Sequence, residues 1–419
     1  MTFHAHAVDQ TTPGQGNEEA IRLAQGSPIV QSAFGLLRDR LSEVRSSDLR
    51  RNMNELMDYK RACVLHRSNL TAGDKTRILA QLDSQGLIDT ADGPGFPGGL
   101  QAGVFPPVLK EGSQCARMPQ AFDSAPGGAT FGHHSEPGGL PVHEAFNDTS
   151  ALGLAHSYKV VYGHTGRNGL PVIVRERGED EDERKNPAFV IDSDLVLVAP
   201  MWHDWAKTLV FQWNSDGTEF TELNFGGNGK TDANGQPGNS KTGAHHILGL
   251  SEAMKRSLSP EFVITVASAH SVPTLGNEYK VVNWLRAAAI IAQVDPFAAG
   301  YLRLDAKQNP RLPAVRHLGE VDLNAAPSTQ TNTLVEYVLH NLSDADFAFT
   351  GPAAGDVTLV LETLATEFGY APSAPNYLVK FRNPVLTYLT AERLYILYSN
   401  GGLAAVRLEI GKLRKLGII

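Results

Sequence analysis

The histidines and aspartates in the middle of the sequence are the residues best suited to do chemistry. Nine of the fourteen histidines lie between positions 133 and 270. The pair His203-Asp204 follows the apolar run 195–202, and an adjacent imidazole and carboxylate can serve one metal ion or let the carboxylate bridge two. His270 follows His245 by 25 residues, and Asp295 follows His270 by the same interval. This pattern predicts a metal site built from histidines and carboxylates.

Helices are the elements expected to position these side chains. Apolar residues recur at three- and four-residue spacings in residues 29–87, 140–301 and 330–419, which is typical of amphipathic helices. Two inserts interrupt the middle stretch: a charged run at 175–185, expected to be a solvated loop, and residues 208–242. The second insert predicts a β-hairpin, with strands at 209–213 and 219–225 and an Asp-Gly turn between them. We therefore expect a mainly α fold with a β-hairpin insertion.

The chain is long enough for several units. Its 419 residues carry 42% hydrophobic and 20% charged side chains, which is the composition of a folded globular protein. We expect an N-terminal helical region with a disordered tail (1–90), a Gly/Pro-rich connection (91–130), a metal-dependent domain (131–305) and a C-terminal helical region (306–419). Residues 1–25 are polar and are expected to be poorly ordered, and no chemistry is expected in the C-terminal region.

Charge and hydropathy exclude some classes of function. The formal net charge is -8 and no dense run of Lys and Arg occurs, so a role in gripping long nucleic acid is disfavoured. No apolar stretch approaches the roughly 18 residues of a membrane span. Only two cysteines, Cys63 and Cys115, are present. Two cysteines are too few for a cysteine-rich zinc site, and a disulfide between them is left open. No signal segment is recognisable, so the compartment is left open as well.

Five short motifs, in the same order as in a known family, resemble the HD-domain superfamily of metal-dependent phosphohydrolases. GGLPVH at 138–143 resembles the start of the helix with the first ligand, and HDWAKT at 203–208 resembles the HDxGKT signature. HHILG at 245–249 and VASAHS at 266–271 are similar to the third and fourth ligand segments, and AAAIIAQVD at 287–295 to the closing helix. The resemblance covers residues 131–302. Ala206 and Trp205 depart from the signature, although neither is a ligand position.

The resemblance implies a helical HD core and a dinuclear centre. It implies two divalent ions, with Mn, Fe, Mg, Ni and Zn all open, and Asp204 as the bridge between them. His245 is preferred to His246 as the third ligand because Gly249 follows it by four residues, as in the family; His246 is then expected to face the substrate or support a ligand. The implied metal ligands are His143, His203, Asp204, His245, His270 and Asp295.

The activity implied by the resemblance is hydrolysis of a phosphoester by a metal-bound hydroxide, with Asp204 and Lys207 as the catalytic residues. The expected substrate is a nucleotide, a short or cyclic oligonucleotide, or another small phosphoester. Lys207 lies one helical turn after Asp204 and is expected to hold a phosphate oxygen, unless it is only ion-paired or solvated. His134, next to His133 in a Gly/Pro-rich loop, is a further candidate to bind the substrate, and a surface position is equally open.

Two other functions remain open at the level of the sequence. Some HD-type proteins with a similar ligand set use two irons and oxygen on a small polar substrate, so a di-iron oxygenase is the first alternative. A non-catalytic ligand-binding protein is the second. Degenerate members of the HD-domain superfamily lack some of the metal ligands. This chain keeps a full set of six, which favours an enzyme.

Overall fold

The computed structural model describes residues 13–166, 168–173, 190–228, 240–273, 277–313 and 333–419. The fold is mainly α, as predicted. The helices are α1 (Asn17–Gly26), α2 (Pro28–Glu43), α3 (Ser47–Met57), α4 (Ala72–Ser84), α5 (Gly99–Val104), α6 (Gly139–Tyr162), α7 (Ser193–His203), α8 (Lys207–Val210), α9 (Ala244–Lys255), α10 (Pro260–Ala267), α11 (Glu278–Ala292), α12 (Val335–Ser343), α13 (Phe347–Ala365), α14 (Asn383–Leu389) and α15 (Ala391–Lys415).

The N-terminal helices begin where capping residues satisfy their first backbone N–H groups. The Thr71 side chain and Asp74 form a capping box at the start of α4. Ser27 and Ser46 accept hydrogen bonds from the first turns of α2 and α3. Helix α1 differs from the expectation that residues 1–25 are poorly ordered, because its Ala20, Leu23 and Ala24 are buried. Residues 1–12, where the rest of that prediction falls, lie outside the described residues.

Two main apolar cores and a third, small cluster lie among the described residues; the small cluster contains Ala151, Ala155, Ile191, Val196 and Leu339. The larger core contains buried side chains from Leu37 to Tyr337, and the smaller one contains side chains from Ala354 to Leu413. The N-terminal helices and the Gly/Pro-rich connection therefore share one core with helices α7, α9, α10 and α11. In the connection, α5 is short, and a disulfide joins Cys63 to Cys115, which resolves the pairing that the sequence left open.

The predicted β-hairpin is found only in part. Trp213 and Glu219 form an isolated antiparallel bridge around a turn that contains Gly217, whose φ is +89°. Residues 209 and 210 of the expected first strand instead form the end of α8, because the backbone continues in helical hydrogen bonding directly after Asp204. The two-stranded sheet in this insert joins β1 (Asn224–Phe225) to β2 (Thr242–Gly243). A second pair joins β3 (Arg303–Leu304) to β4 (Pro310–Arg311).

Some predictions fall on parts of the chain that the structure does not describe. The charged run 175–185 lies outside the described residues, and so does most of the Gly/Asn-rich stretch 226–238. Among the helices of the described ranges, none has both the length and the apolar composition needed to cross a membrane.

Candidate metal centre

Helix α6 supplies the first histidine and starts in a tight turn. Gly138, at φ +85°, caps the helix, and a Cβ there would lie 2.5 Å from a Val30 methyl group. This close approach explains why glycine is required just before the helix. One turn later His143 is buried, and its Nδ1 lies 3.3 Å from Oδ1 of Asp346. The other ring nitrogen, Nε2, is thereby directed away from Asp346 and is available as a ligand.

Helix α7 supplies the His-Asp pair at its C-terminal end. Its residues from Leu195 to His203 are buried, so the helix lies in the larger core. His203 donates a hydrogen bond from Nδ1 to the backbone carbonyl of Pro200 at 2.8 Å, and its Nε2 faces the carboxylates of Asp204 and Asp344. Asp204 is the C-cap residue and is 1% exposed. Burial of a carboxylate to this extent requires nearby cations or hydrogen-bond donors.

Helix α9 and the segment after α10 supply two more histidines. Oε1 of Glu222 lies 2.5 Å from His245 Nδ1 and also accepts the His245 backbone N–H at 2.7 Å. His270 Nδ1 forms a 2.8 Å hydrogen bond with Oγ1 of Thr242 in β2. Both rings are therefore fixed from the Nδ1 side, as His143 and His203 are.

Asp344, directly after α12, completes the cluster although no motif predicted it. Its Oδ1 lies 3.1 Å from His143 Nε2 and 3.5 Å from His203 Nε2. Asn147 and Ser343 hold this end of α12 against α6 through a 2.5 Å hydrogen bond. The C-terminal region, where no chemistry was expected, thus contributes directly to the site.

The side chains converge on Asp204 in two groups. Oδ2 of Asp204 lies 3.4 Å from His143 Nε2, while Oδ1 lies 3.5 Å from His203 Nε2 and 3.3 Å from His245 Nε2. The ligand atoms of Asp204, His245 and His270 lie within 4.8 Å of one another. We call His143, His203, Asp204 and Asp344 the first ligand set, and Asp204, His245 and His270 the second ligand set.

The donor set fits metal ions. Oδ1 of Asp204 and Nε2 of His245 are buried and have no hydrogen-bond partner among the described residues. Buried polar atoms without partners are rare unless an ion or water satisfies them. A carboxylate oxygen of the fully buried Glu144 lies within 4.8 Å of the ligand atoms of His143, His203 and Asp204, so Glu144 is a further candidate ligand of the first set. Clusters of buried His, Glu and Asp side chains such as these could hold metal ions.

The structure does not bring Asp295 to this cluster, contrary to the prediction. Asp295 is exposed after α11, and its Oδ1 accepts hydrogen bonds from the backbone N–H groups of Phe297 and Ala298. It therefore caps a turn, which is a common role for an aspartate that follows a helix. Asp344 is the aspartate outside the His203-Asp204 pair whose carboxylate lies near His143 and His203.

Lys207 was expected to hold a phosphate oxygen, but its side chain is bound to other groups of the protein. Its Nζ donates hydrogen bonds to Oδ2 of Asp204 and to the backbone carbonyl of Gly127, and it is 6% exposed. It therefore compensates the charge of Asp204 and fixes the loop that precedes α6. Its role in the described structure is to position Asp204.

The remaining candidates lie around the cluster. His246 is buried and stacks on His270, with ring centroids 4.1 Å apart, so it supports a ligand ring. His134 is also buried, and its Nε2 lies 2.9 Å from Oδ2 of Asp346. His133 is half-buried, with its ring centroid 5.5 Å from that of His143.

The electrostatics of the cluster match a cation site. Burial lowers the pKa of His203, but the charges of Asp204, Glu144 and Asp344 outweigh it and raise the pKa to about 10. Burial raises the pKa of Glu144 to about 8. Without metal, protonated imidazoles balance the carboxylates, and a divalent cation would take the place of those protons.

Sequence reasoning missed four carboxylates that shape the centre: Asp344, Asp346, Glu222 and Glu144. The first two form a D-A-D sequence at 344–346, in the stretch 330–419 whose apolar spacing predicted helices, and that placement was the available signal. Glu222 had no such signal, because it lies in a segment that was read as a β-strand.

Comparison with known proteins adds no family assignment. No protein-family model, no curated protein and no solved structure matches this chain.

Proposed function

We propose that this protein is a metal-dependent phosphohydrolase that cleaves a small phosphoester at a centre of two divalent ions. The observation that carries the proposal is the arrangement around Asp204. Four histidines are each fixed through Nδ1, and the Nε2 atoms of His143, His203 and His245 lie 3.3–3.5 Å from the Asp204 carboxylate. Two groups of ligands that share one carboxylate suit a pair of ions bridged by that carboxylate.

The first ligand set would hold one ion and the second ligand set the other. Imidazole and carboxylate ligands together suit iron, manganese, nickel and zinc, and a purely magnesium site would use more oxygen ligands. When bound, such ions lower the pKa of coordinated water and neutralise charge on a phosphoryl group. Asp204 would set the separation of the ions, and Lys207 keeps that carboxylate ionised and oriented.

The accessible side of the centre indicates where a substrate would enter. His270 is exposed and Glu222, which holds His245, is 15% exposed at its side chain, whereas His143 and His203 are nearly inaccessible. A phosphoester would therefore approach from the side of the second ligand set. Fewer protein ligands there also leave more coordination positions for water and substrate.

The charges around the site favour a small substrate with few negative charges. Five carboxylates surround the centre, and Lys207, the one lysine that contacts it among the described residues, is already bound to Asp204. A substrate with many phosphates would meet repulsion from those carboxylates that two cations would only partly offset. Nucleoside monophosphates, short or cyclic oligonucleotides and other small phosphoesters fit this balance. The carboxylates are Asp204, Asp344, Asp346, Glu144 and Glu222.

The test is a panel of phosphomonoesters and phosphodiesters, with protein loaded separately with manganese, magnesium, nickel, zinc or anaerobic ferrous iron. We expect phosphate or alcohol release that depends on the metal and not on oxygen. The Asp204→Ala variant, run in parallel, distinguishes turnover at this centre from a contaminating phosphatase.

Two outcomes would contradict the proposal. Turnover of a small polar substrate that requires ferrous iron and consumes oxygen would assign the centre to a di-iron oxygenase. Absence of phosphate or alcohol release from every substrate, in protein that binds two ions and shows no oxygen uptake, would favour a non-catalytic binding protein.

A further inference from the structure

A cavity separate from the metal centre lies on the N-terminal side of the molecule. It has a volume of about 440 Å³ and opens to solvent between α2, the end of α3 and the segment that contains Asp123. None of its lining residues belongs to either ligand set. Its size is within the range of cavities that bind small molecules or cofactors.

The rim of this cavity is basic, although the whole chain carries a net charge of -8. Arg38, Lys60 and Arg61 line it, with Asp58 as the acidic group on the rim. Nε of Arg61 lies 3.4 Å from Oδ2 of Asp58, whereas the side-chain nitrogens of Arg38 and Lys60 have no hydrogen bond or ion pair within the described ranges. Two free cations at one opening make a local site for an anion.

The interior of the cavity combines aromatic rings with one buried carboxylate. Phe34 and Tyr59 line it, and the Arg38 guanidinium lies 6.0 Å from the centre of the Phe34 ring. Asp123 is 9% exposed, and its Oδ2 accepts a hydrogen bond from Gln31 at 3.2 Å. Rings of this kind stack on a flat aromatic group, and the carboxylate can accept an N–H from it.

The basic rim is held in place by the chain around the disulfide. The backbone N–H groups of Arg61 and Ala62 both donate to the carbonyl of Asp58, at 2.9 and 2.8 Å. Cys63, one residue further on, is bonded to Cys115 and receives a hydrogen bond through its carbonyl from Arg256. A fixed rim reduces the entropy lost when a ligand binds.

We propose that this cavity binds a purine nucleoside monophosphate. The base would stack in the aromatic interior with an N–H directed to Asp123, and the phosphate would contact Arg38 and Lys60. The proposal does not depend on the activity proposed for the metal centre, because the two sites share no residue.

The test is isothermal titration calorimetry of the full chain with guanosine 5′-monophosphate, inorganic phosphate and guanosine. We expect the nucleotide to bind at least about tenfold more tightly than inorganic phosphate or guanosine, because only the nucleotide occupies both the basic rim and the aromatic interior. The double variant Arg38→Ala/Lys60→Ala should weaken nucleotide binding about tenfold or more, with a strong dependence on salt. Arg51→Ala, an exposed arginine of α3 outside the cavity, is the matched control and should bind like the wild type.

The Asp204→Ala variant separates this site from the metal centre. Nucleotide binding in the cavity should survive that substitution. Binding that is lost in Asp204→Ala and retained in Arg38→Ala/Lys60→Ala would belong to the metal centre and would overturn the proposal. Equal affinities for the nucleotide and inorganic phosphate would also overturn it, because they would indicate an unspecific anion patch.

Discussion

The two ligand sets use the same residue types but differ in how the fold supports them. The first ligand set contains four side chains on or directly after the helices α6, α7 and α12, and its histidines are buried. The second ligand set contains three, and His270 is exposed. Its orienting partners, Glu222 and Thr242, come from short extended segments rather than from helices. The difference indicates one tightly enclosed position and one accessible position that share Asp204.

The largest expected effect comes from the side chain that both sets share. Asp204→Ala should abolish binding of both proposed ions and reduce turnover by about three orders of magnitude or more, because it removes the carboxylate that both ligand sets share. Metal analysis together with the phosphoester assay checks this. The helical circular dichroism should persist, and retained turnover in a folded variant would contradict the assignment.

Graded removal of metal should separate the two sets. With increasing chelator we expect one ion per chain to be lost first, at a concentration about tenfold lower than is needed for the other, since the second ligand set offers fewer protein ligands. Metal analysis after each dialysis step follows the loss. Release of both ions in one step would show that the two positions are equivalent.

Glu222 and Asp346 contact Nδ1 of His245 and of His143, and each should affect metal binding by one ligand set only. Glu222→Gln should weaken the second ion about 10- to 100-fold and spare the first, because it disturbs the orientation of His245. Asp346→Asn should do the reverse through His143. Each variant is the control for the other, and equal effects on both ions would mean that these side chains only stabilise the fold.

The sequence predicted most of the helices because their signals are local. The capping box of Thr71 and the apolar run before His203 both depend on neighbours within one or two turns. Gly138 likewise marks the start of the helix that carries His143. Such features can be recognised without knowledge of the tertiary structure.

The carboxylate that completes the first ligand set was missed because its position depends on tertiary packing. Asp344 lies 74 residues after His270 and reaches the site only because α12 packs against α6 and α7. The regular interval of 25 residues pointed instead to Asp295, which caps a surface turn. Lys207 was predicted correctly to be near Asp204, but its partners could not be read from spacing alone.

The smallest expected effect concerns the attachment of α9, the helix that carries His245. Glu252 on this helix is fully buried and accepts hydrogen bonds from Leu65 N–H, His66 Nδ1 and Arg256 Nε, at 2.7–2.9 Å. Burial alone would raise the pKa of Glu252, but the bonds from His66 and the charge of Arg256 lower it to about 2.

This lowered pKa gives a defined pH dependence. The ionised Glu252 stabilises the fold above its unfolded pKa of about 4.5, and this contribution is lost as the pH falls towards 2. The difference in unfolding free energy between wild type and Glu252→Gln should shrink by on the order of 2 kcal/mol from pH 6 to pH 3. Urea unfolding at several pH values checks this, and a difference independent of pH would contradict it.

The most direct test of the metal centre compares Asp295, which the sequence predicted to be a ligand, with Asp344, which the structure brings to the cluster. Ions per chain and turnover are measured for Asp344→Ala and Asp295→Ala against the wild type. We predict that Asp344→Ala loses the ion of the first ligand set together with turnover, while Asp295→Ala keeps two ions and full activity. Loss of metal and turnover in Asp295→Ala, with Asp344→Ala unaffected, would contradict this assignment of the centre.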